Sequence, residues 1–433
     1  MQTPRNILTD SRNIQRSAFI WNALASVLLA AQPVLVLMML TRTLGVADAG
    51  VFSFAHANAN LLFFIGEFGL RKYQASDVKE RYKPGEYYAF RSLSCLAMVC
   101  ALIVFCIHAY LQNGYTFGKV LVVFFVGLCL TVQAFSEGYE SNMQQKGRLD
   151  IAAKTAFLRT LSLIIAYAIG VFLTRSLLIS SVLAFVFALT VFLMGTFRIS
   201  RSFNSRKPVY HKDVLTGILA AAFPIFITLF LNNYIANAPK YAIDGTLGDE
   251  LQAVYGFLFM PTYAIGLLCN FIFNPLIVNY AKLWTDGKIR EFARLVLRQM
   301  FIILGMTGLG IAAARLAGIP VLFLLYDTDL SSYRGSLCIL ILGGGMWAFC
   351  TFFTTIITIM RRQNRLLFGY AAAAAAALLL SRRIIVQYGI PGAAWLYTGI
   401  MTGLTMILFL FLYLGIRQAR QKSADSDAGS EKR

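Results

Sequence analysis

The chain has 433 residues, of which 58% are hydrophobic and only 14% are charged, and its mean hydropathy is +0.66. A soluble protein carries roughly 25% charged residues, so this composition excludes an ordinary soluble domain and predicts an all-α integral membrane protein. The seven cysteines and three histidines do not follow the spacing of a metal site or a secreted disulfide framework. We therefore expect no cofactor and no metal.

Apolar runs of about 20 residues, the length that spans a bilayer core, predict six helices in the first half of the chain. The predicted helices are 17–40, 50–70, 92–111, 117–135, 152–173 and 177–197. The first run is longer than the apolar core of a signal peptide, so we interpret it as a retained helix. A basic segment, 198–212, follows the sixth helix.

The second half predicts six more helices and an interfacial amphipathic segment, 279–298. These helices are 214–235, 251–278, 299–316, 337–360, 366–385 and 393–416. The predicted organisation is a six-helix lobe over 1–197, a cytoplasmic basic joint over 198–212, a second six-helix lobe over 213–416 and a disordered cytoplasmic tail over 417–433.

A short repeat links the two halves at an offset of 203 residues. Thr43-Leu44-Gly45 precedes Gly50-Val51-Phe52-Ser53-Phe54, and Thr246-Leu247-Gly248 precedes Ala253-Val254-Tyr255-Gly256-Phe257. Both copies fall between the first and second helices of their own half. This position predicts a duplicated bundle with a path between its halves.

The basic residues predict the orientation in the membrane. With both termini in the cytoplasm, 30 Lys and Arg fall on the inner segments, 8 fall on the outer turns, and Arg159 lies inside the fifth helix. Such a bias is what positive-inside insertion produces. It also accounts for the net charge of +19 through contact with anionic membrane lipid, without nucleic acid as a partner.

Polar residues inside the predicted helices of the first half are candidates for a transport pathway, because burying them in a bilayer is costly. His56 and Asn60 are four residues apart and share one helix face, where they either contact substrate or pack the bundle through hydrogen bonds. Arg159 needs a carboxylate or water, and Glu137 or Glu67 could supply the charge. The alternative is a structural ion pair between Arg159 and Glu137.

In the second half, polar residues gather at the end of the seventh predicted helix. They include Asn232, Asn233 and Asn237, followed by Lys240 and Asp244. Lys240 and Asp244 are four residues apart, and this spacing favours a surface ion pair between them.

Four motifs resemble one known family. They are Arg42-Thr43-Leu44-Gly45 with Gly50-Val51-Phe52, Phe68-Gly69-Leu70-Arg71-Lys72-Tyr73-Gln74-Ala75-Ser76-Asp77, Asn237-Ala238-Pro239-Lys240-Tyr241-Ala242-Ile243-Asp244 and Asn270-Phe271-Ile272-Phe273-Asn274-Pro275. Their order and the twelve-helix layout resemble the polysaccharide transporter branch of the multidrug/oligosaccharidyl-lipid/polysaccharide flippase superfamily, which includes O-antigen flippases.

The resemblance implies two six-helix lobes around a central cavity in the cytoplasmic membrane. It implies flipping of an undecaprenyl-pyrophosphate-linked oligosaccharide from the inner to the outer leaflet, for cell-surface polysaccharide biosynthesis, by alternating access. Expected partners are this lipid-linked substrate, membrane lipid, and a polysaccharide polymerase and glycosyltransferases.

Chemistry and spacing suggest which residues would contact such a substrate. A pyrophosphate needs cations, preferably Arg, whose fork binds phosphate bidentately, and a sugar needs hydrogen bonds. The candidate cations are Arg159, Arg42 and Lys240, and the candidate sugar contacts are His56, Asn60, Asn232 and Asn233.

Four other functions would require different features in the sequence. A cation-coupled drug antiporter of the same superfamily would share the fold, but we expect it to need a carboxylate deep in a lobe. A major-facilitator carrier would show its loop motif after the second helix, and a membrane polymerase or glycosyltransferase would need catalytic groups on a sizeable outer loop. A structural scaffold would not explain the intramembrane polar residues. The sequence therefore predicts a transporter rather than an enzyme.

Overall fold

The structure, a computed structural model, describes residues 13–76, 81–112, 114–203, 207–273, 276–360, 362 and 364–430. In these ranges every regular element is helical. The first half contains α1 Ile14–Thr43, α2 Val46–Glu67, α3 Leu70–Ser76, α4 Pro84–Gln112, α5 Phe117–Gln145, α6 Leu149–Thr174 and α7 Leu177–Val191. A π-helical turn, Phe192–Phe197, continues α7.

The second half contains α8 Lys212–Asp244, α9 Asp249–Phe273, α10 Ile277–Thr285, α11 Ile289–Ala313, α12 Ile319–Tyr326, α13 Arg334–Ile359 and α14 Asn364–Ser430. Helix α14 is two helices joined at Gly389, whose φ of 60° and ψ of −141° are not helical. It extends to Ser430, well past residue 416, so the backbone is helical over most of the segment for which the sequence predicts disorder. Residues 417–424 carry Arg, Gln, Lys and Ala, which favour a helix.

Ten helical stretches of the described chain are long and apolar enough to cross a membrane. One of them, Arg365–Ala419, contains both arms of α14. Helix α9 is not among the ten but has 25 residues, which is a spanning length. The all-α membrane class predicted from composition is confirmed.

The chain forms two compact units. The first comprises Met1–Asn233 and Gly248–Ala253, and the second comprises Tyr234–Leu247 and Val254–Arg433. The start of α8 therefore groups with the first-half helices, so the lobe boundary at 198–212 stays a prediction. Within the first unit, Phe226 of α8 stacks on Phe68 with ring centroids 4.3 Å apart.

Helix packing in each unit follows the apolar faces. In the first unit α1 packs along α6, α6 along α7, and α2 along α5, with Tyr88 and Tyr139 stacked at 4.5 Å in the core. In the second unit α13 packs along α14 and α11, and Phe257 stacks on Tyr326 at 4.2 Å.

The turns of the sequence repeat have the same geometry in the two halves. Helix α2 begins after Gly45, whose φ is +104°, and α9 begins after Gly248, whose φ is +84°. A side chain is strained at such φ values, and glycine is not. The 203-residue offset therefore relates two turns that reverse the chain in the same way.

Candidate functional site

The end of α2 is held by an arginine from α4. Arg91 is 2% exposed, and its Nη1 donates to the carbonyl oxygens of Gly66 at 2.9 Å and Glu67 at 2.8 Å. These carbonyls lie in the last turn of α2, where no intrahelical donor remains. Arg91 therefore supplies both hydrogen bonds and a positive charge at the negative end of the helix dipole.

The side chain of Glu67 joins α2 to α3. Its carboxylate accepts hydrogen bonds from the backbone N–H groups of Gly69 at 2.9 Å and Arg71 at 3.2 Å. Phe68 between the helices has a φ of 50°, in the left-handed region. A carboxylate at the start of a helix satisfies free N–H groups and favours the dipole, so Glu67 fixes the sharp turn into α3.

Arg71 connects this turn to α5. Its Nη1 lies 3.4 Å from Glu137 Oε1, and the Arg71 side chain is 36% exposed whereas that of Glu137 is 5% exposed. The charge of Glu137 raises the pKa of Arg71. Gln133 also donates to Glu137 Oε1 at 3.1 Å, so this carboxylate is satisfied from two sides.

Arg159 pairs with a carboxylate that sequence reasoning missed. Its Nη1 donates to Glu140 Oε1 at 2.8 Å, and the two side chains are 5% and 1% exposed. The predicted pairing of Arg159 with Glu137 is therefore replaced by a pairing with Glu140. Glu140 lies three residues after Glu137, nearly one helical turn, and the two carboxylates reach different neighbours: Glu137 reaches α3 and Glu140 reaches α6.

These side chains form what we call the first-unit ion network. Its members are Glu67, Arg71, Arg91, Glu137, Glu140 and Arg159. Three cations balance three anions, so the network adds no net charge to the apolar interior. Arg91 links α4 to the end of α2, Glu67 links α2 to α3, and Arg71 links α3 to α5. Arg159 separately links α6 to α5. This arrangement favours a structural ion pair for Arg159 over a substrate contact. Arg71 is the member that reaches solvent.

Several polar atoms beside the network have no hydrogen-bond partner within the described part of the chain. They are Glu140 Oε2, both amide atoms of Asn142, and Nε and Nη2 of Arg91. Buried polar groups are normally satisfied, so this region of the first unit keeps capacity for further polar contacts.

Two members of this network could have been found from the sequence. Glu140 lies three residues after Glu137 on the same helix. This spacing makes Glu140 a second candidate partner for Arg159. The sequence predicts a helix over 92–111, which leaves Arg91 outside it, whereas α4 begins at Pro84 and places Arg91 two turns inside a helix. An Arg at that depth requires partners.

His56 and Asn60 lie on α2, as predicted, and both are half-buried. The imidazole of His56 stacks on Phe52 with centroids 5.7 Å apart, and Phe52 contacts Tyr167 of α6 edge-on at 5.5 Å. The Asn60 amide donates to the carbonyl oxygen of His56 at 2.9 Å. These contacts show packing, and a role for either residue in binding sugar stays a prediction.

The remaining candidates of the first unit lie apart in the chain. Arg42 is exposed in the last turn of α1. Asn232 and Asn233 are half-buried on α8. The roles of these three residues in binding substrate stay predictions.

Lys240 is a buried cation of the second unit. It is 3% exposed, and its Nζ lies 5.0 Å from the ring centroid of Phe259, a cation–π distance. No carboxylate of the described residues forms an ion pair with Lys240, so the surface pair predicted with Asp244 is wrong. The helix predicted to end at residue 235 continues to Asp244, which buries Lys240 instead of exposing it.

The surroundings of Lys240 are aromatic and polar. Phe259 also contacts Tyr397 at 5.0 Å and Tyr255 at 5.7 Å. The hydroxyl groups of Tyr255 and Tyr397 are buried and have no hydrogen-bond partner in the described ranges. The second unit thus combines a cation with two hydroxyl groups that can donate to a ligand.

Comparisons with known proteins identify the family and the fold. A family model described as polysaccharide biosynthesis protein matches residues 16–280. A comparison with curated proteins found no match.

Solved structures share the fold at low sequence identity. An inward-facing multidrug resistance MATE family transporter of the MOP superfamily has a TM-score of 0.70 and 11% identity, covering 91% of this chain and 96% of that chain. The lipid II flippase MurJ, in an inward closed conformation, has a TM-score of 0.71 and 14% identity, covering 94% of this chain and 91% of that chain. A MOP superfamily transporter from Pyrococcus furiosus has a TM-score of 0.59 and 11% identity, covering 98% of each chain.

The family match extends over more than half of the chain, and the similar structures confirm the all-α membrane fold. The resemblance to the polysaccharide branch of the flippase superfamily is therefore confirmed, and the chain belongs to the polysaccharide biosynthesis protein family, with the fold shared by MATE transporters and MurJ.

Proposed function

We propose that this protein is a flippase that moves undecaprenyl-pyrophosphate-linked oligosaccharide from the inner to the outer leaflet of the cytoplasmic membrane, by alternating access, for cell-surface polysaccharide biosynthesis. The observation that carries the proposal is membership of the polysaccharide biosynthesis protein family. The fold shared with a lipid II flippase supports a lipid-linked substrate. Both termini are proposed to lie in the cytoplasm. A polysaccharide polymerase and glycosyltransferases of the same route are proposed as partners.

Lys240 is the residue we assign to the pyrophosphate. A buried amine with no ion-pair partner among the described residues can pair with an incoming anion, whereas Arg159 is already paired at 2.8 Å. A charged hydrogen bond in a site with little water contributes about 1.5–3 kcal/mol. The unpartnered hydroxyl groups of Tyr255 and Tyr397 would donate to phosphate or sugar oxygens.

A cation-coupled drug antiporter of the same superfamily is the second candidate function, because MATE transporters share the fold. That function was expected to need a buried carboxylate deep in a lobe. In the first unit, Glu137 and Glu140 are paired with arginines and Glu67 accepts two backbone hydrogen bonds. Engaged carboxylates are poor sites for an exchanged cation, so the described residues favour the flippase.

The test is transport in reconstituted vesicles containing a fluorescent lipid-linked oligosaccharide, followed by its exposure to an impermeant quencher. Lys240→Met keeps the side-chain length and removes the charge. We expect flipping to fall at least tenfold, since about 1.4 kcal/mol corresponds to a factor of ten. The melting temperature should hold or rise, because an isolated buried charge is costly.

Lys207→Met is the matched control, because Lys207 is exposed in the segment before α8. It should transport at the wild-type rate. Wild-type transport by Lys240→Met would remove Lys240 from the substrate path. A wild-type protein that exchanges an organic cation for protons and moves no lipid-linked oligosaccharide would replace the flippase by the antiporter.

A further inference from the structure

A groove runs between α11 and the last part of α14 in the second unit. Its volume is about 430 Å³, and it is lined by Ala293, Leu297 and Met300 of α11 and by Phe409, Tyr413 and Arg417 of α14, among others. Every lining group except the Tyr413 hydroxyl and the Arg417 guanidinium is apolar. The groove is therefore shaped for a hydrocarbon chain that has a polar group at one end.

Three arginines lie in or beside this groove. Arg290 precedes Ala293 by three residues and Leu297 by seven, so it continues the row of α11 residues that line the groove. Arg294 adjoins the same row, and both arginines are exposed. Arg417 of α14 lines the groove itself. Both helices therefore carry cations in or beside the groove.

The described part of the chain does not neutralise these guanidinium groups. Arg290, Arg294 and Arg417 form no ion pair with any carboxylate among the described residues. The neighbouring residue Gln418 is occupied by another arginine, Arg362, whose Nη1 donates to it at 2.6 Å. These cations are therefore available to an external anion.

A short helix indicates where the bilayer surface meets the start of α11. Helix α10 packs on the start of α11, where Trp284 lies 5.1 Å and Tyr280 6.1 Å from Phe292, centroid to centroid. Lys282 on α10 is exposed. Tyr280 is buried and packs α10 onto α11. A partly exposed Trp with a nearby exposed Lys is typical of the headgroup region, which indicates headgroup level for the start of α11 with Arg290 and Arg294.

We propose that this groove binds an anionic phospholipid, with its phosphate on Arg417, Arg290 and Arg294 and one acyl chain along Leu297 and Phe409. Guanidinium groups bind phosphate oxygens bidentately, and basic pockets between membrane helices bind anionic headgroups. A zwitterionic lipid would gain little from three cations, and a soluble anion would gain nothing from the apolar wall. The site is independent of the flippase function.

The test is native mass spectrometry of the detergent-purified full chain titrated with phosphatidylglycerol or with phosphatidylcholine. Wild-type protein should retain one phosphatidylglycerol in preference to phosphatidylcholine. The variant Arg290→Gln/Arg294→Gln/Arg417→Gln should bind phosphatidylglycerol at least tenfold more weakly. The matched control is Arg315→Gln/Arg382→Gln/Arg383→Gln, which removes three exposed arginines outside the groove and should bind like wild type. Arg315 follows the end of α11, and Arg382 and Arg383 lie in the first arm of α14, before Gly389.

A second variant tests the chain-binding part of the groove without changing charge. Leu297 is 51% exposed, so Leu297→Trp should be tolerated, should fill the groove and should weaken phosphatidylglycerol binding severalfold. Equal binding by the groove triple variant and the control triple variant would overturn the proposal. So would unchanged binding by Leu297→Trp, equal wild-type retention of the two lipids, or displacement of phosphatidylglycerol by an equimolar polyprenyl phosphate.

Discussion

The buried pair Arg159–Glu140 shows how a charge is held inside an apolar bundle. Both side chains are nearly inaccessible and lie 2.8 Å apart, so each neutralises the other where water cannot. Taking both ions out of water is costly, and their attraction offsets that cost only while the pair stays intact. Removing one partner leaves an isolated charge, and this asymmetry allows the structural role to be tested.

Arg159→Met should lower the stability by about 3–5 kcal/mol, the cost of breaking a buried pair from one side. Adding Glu140→Gln should restore much of the loss, because no carboxylate is then left uncompensated. Adding Glu137→Gln instead should restore none, since Glu137 serves Arg71. Thermal unfolding in detergent, followed by intrinsic fluorescence, measures all three variants.

Rescue by Glu137→Gln and not by Glu140→Gln would contradict this pairing. Wild-type stability of Arg159→Met with reduced transport would instead return Arg159 to the substrate path, as the sequence first suggested.

At the residue scale the sequence predicted which side chains need partners, and it did not predict the partners. Arg159 stands out in any apolar run, because an arginine in hydrocarbon must be compensated. Whether Arg159 pairs with Glu137 or with Glu140 depends on the angle at which α5 crosses α6. The spacing of residues along the sequence does not determine that crossing angle. Lys240 was misjudged for a related reason: its burial depends on where α8 ends.

At the scale of elements, the two repeat turns are the features that the sequence specified best. Gly45 and Gly248 both have positive φ, +104° and +84°, and each precedes the first residue of a helix. A Cβ at either glycine would meet no heavy atom within 4 Å. The requirement for glycine is therefore conformational and not steric crowding by neighbours.

Gly45→Ala and Gly248→Ala should each lower stability by about 1 kcal/mol or more, because alanine is strained at these φ values. The two losses should be similar, because both glycines have positive φ and precede the first residue of a helix. Gly195→Ala is the matched control, because Gly195 is in a helical turn with open space around its Cα. Thermal unfolding of the three variants tests this, and a neutral Gly45→Ala would refute the conformational reading.

Helix ends were predicted less well than helix centres. The apolar runs located the centres because bilayer length fixes them. Helix α5 continues ten residues past 135, to Gln145, through Glu137, Glu140 and Asn142, which a hydropathy criterion excludes. Ion pairs and hydrogen bonds with other helices make the two glutamates compatible with a buried helix. A hydropathy average over a short window of sequence cannot detect such contacts.

At the scale of the whole molecule, composition alone predicted the membrane class, because few charges and long apolar runs leave no soluble alternative. Predicting the family required several motifs that occur in a particular order along the chain. The identity of the glycan could not be predicted from the sequence. Side chains that recognise sugars are common polar residues, and their specificity arises from their three-dimensional arrangement. The orientation in the membrane is a prediction from the distribution of basic residues.

Both termini are predicted in the cytoplasm, because 30 basic residues lie on the segments of that side and 8 on the other. The test uses impermeant maleimide on intact cells. Its background must lack the seven native cysteines, all free thiols. Ser176→Cys, in the turn between α6 and α7, should react from outside, whereas Ser202→Cys, after the π-helical turn, should react only after permeabilisation. The two sites lie at opposite ends of one membrane-spanning stretch, Leu177–Phe203, so they must label from opposite sides. Labelling of Ser202→Cys in intact cells with protection of Ser176→Cys would invert the topology, and the proposed direction of flipping would then have to be reassigned with it.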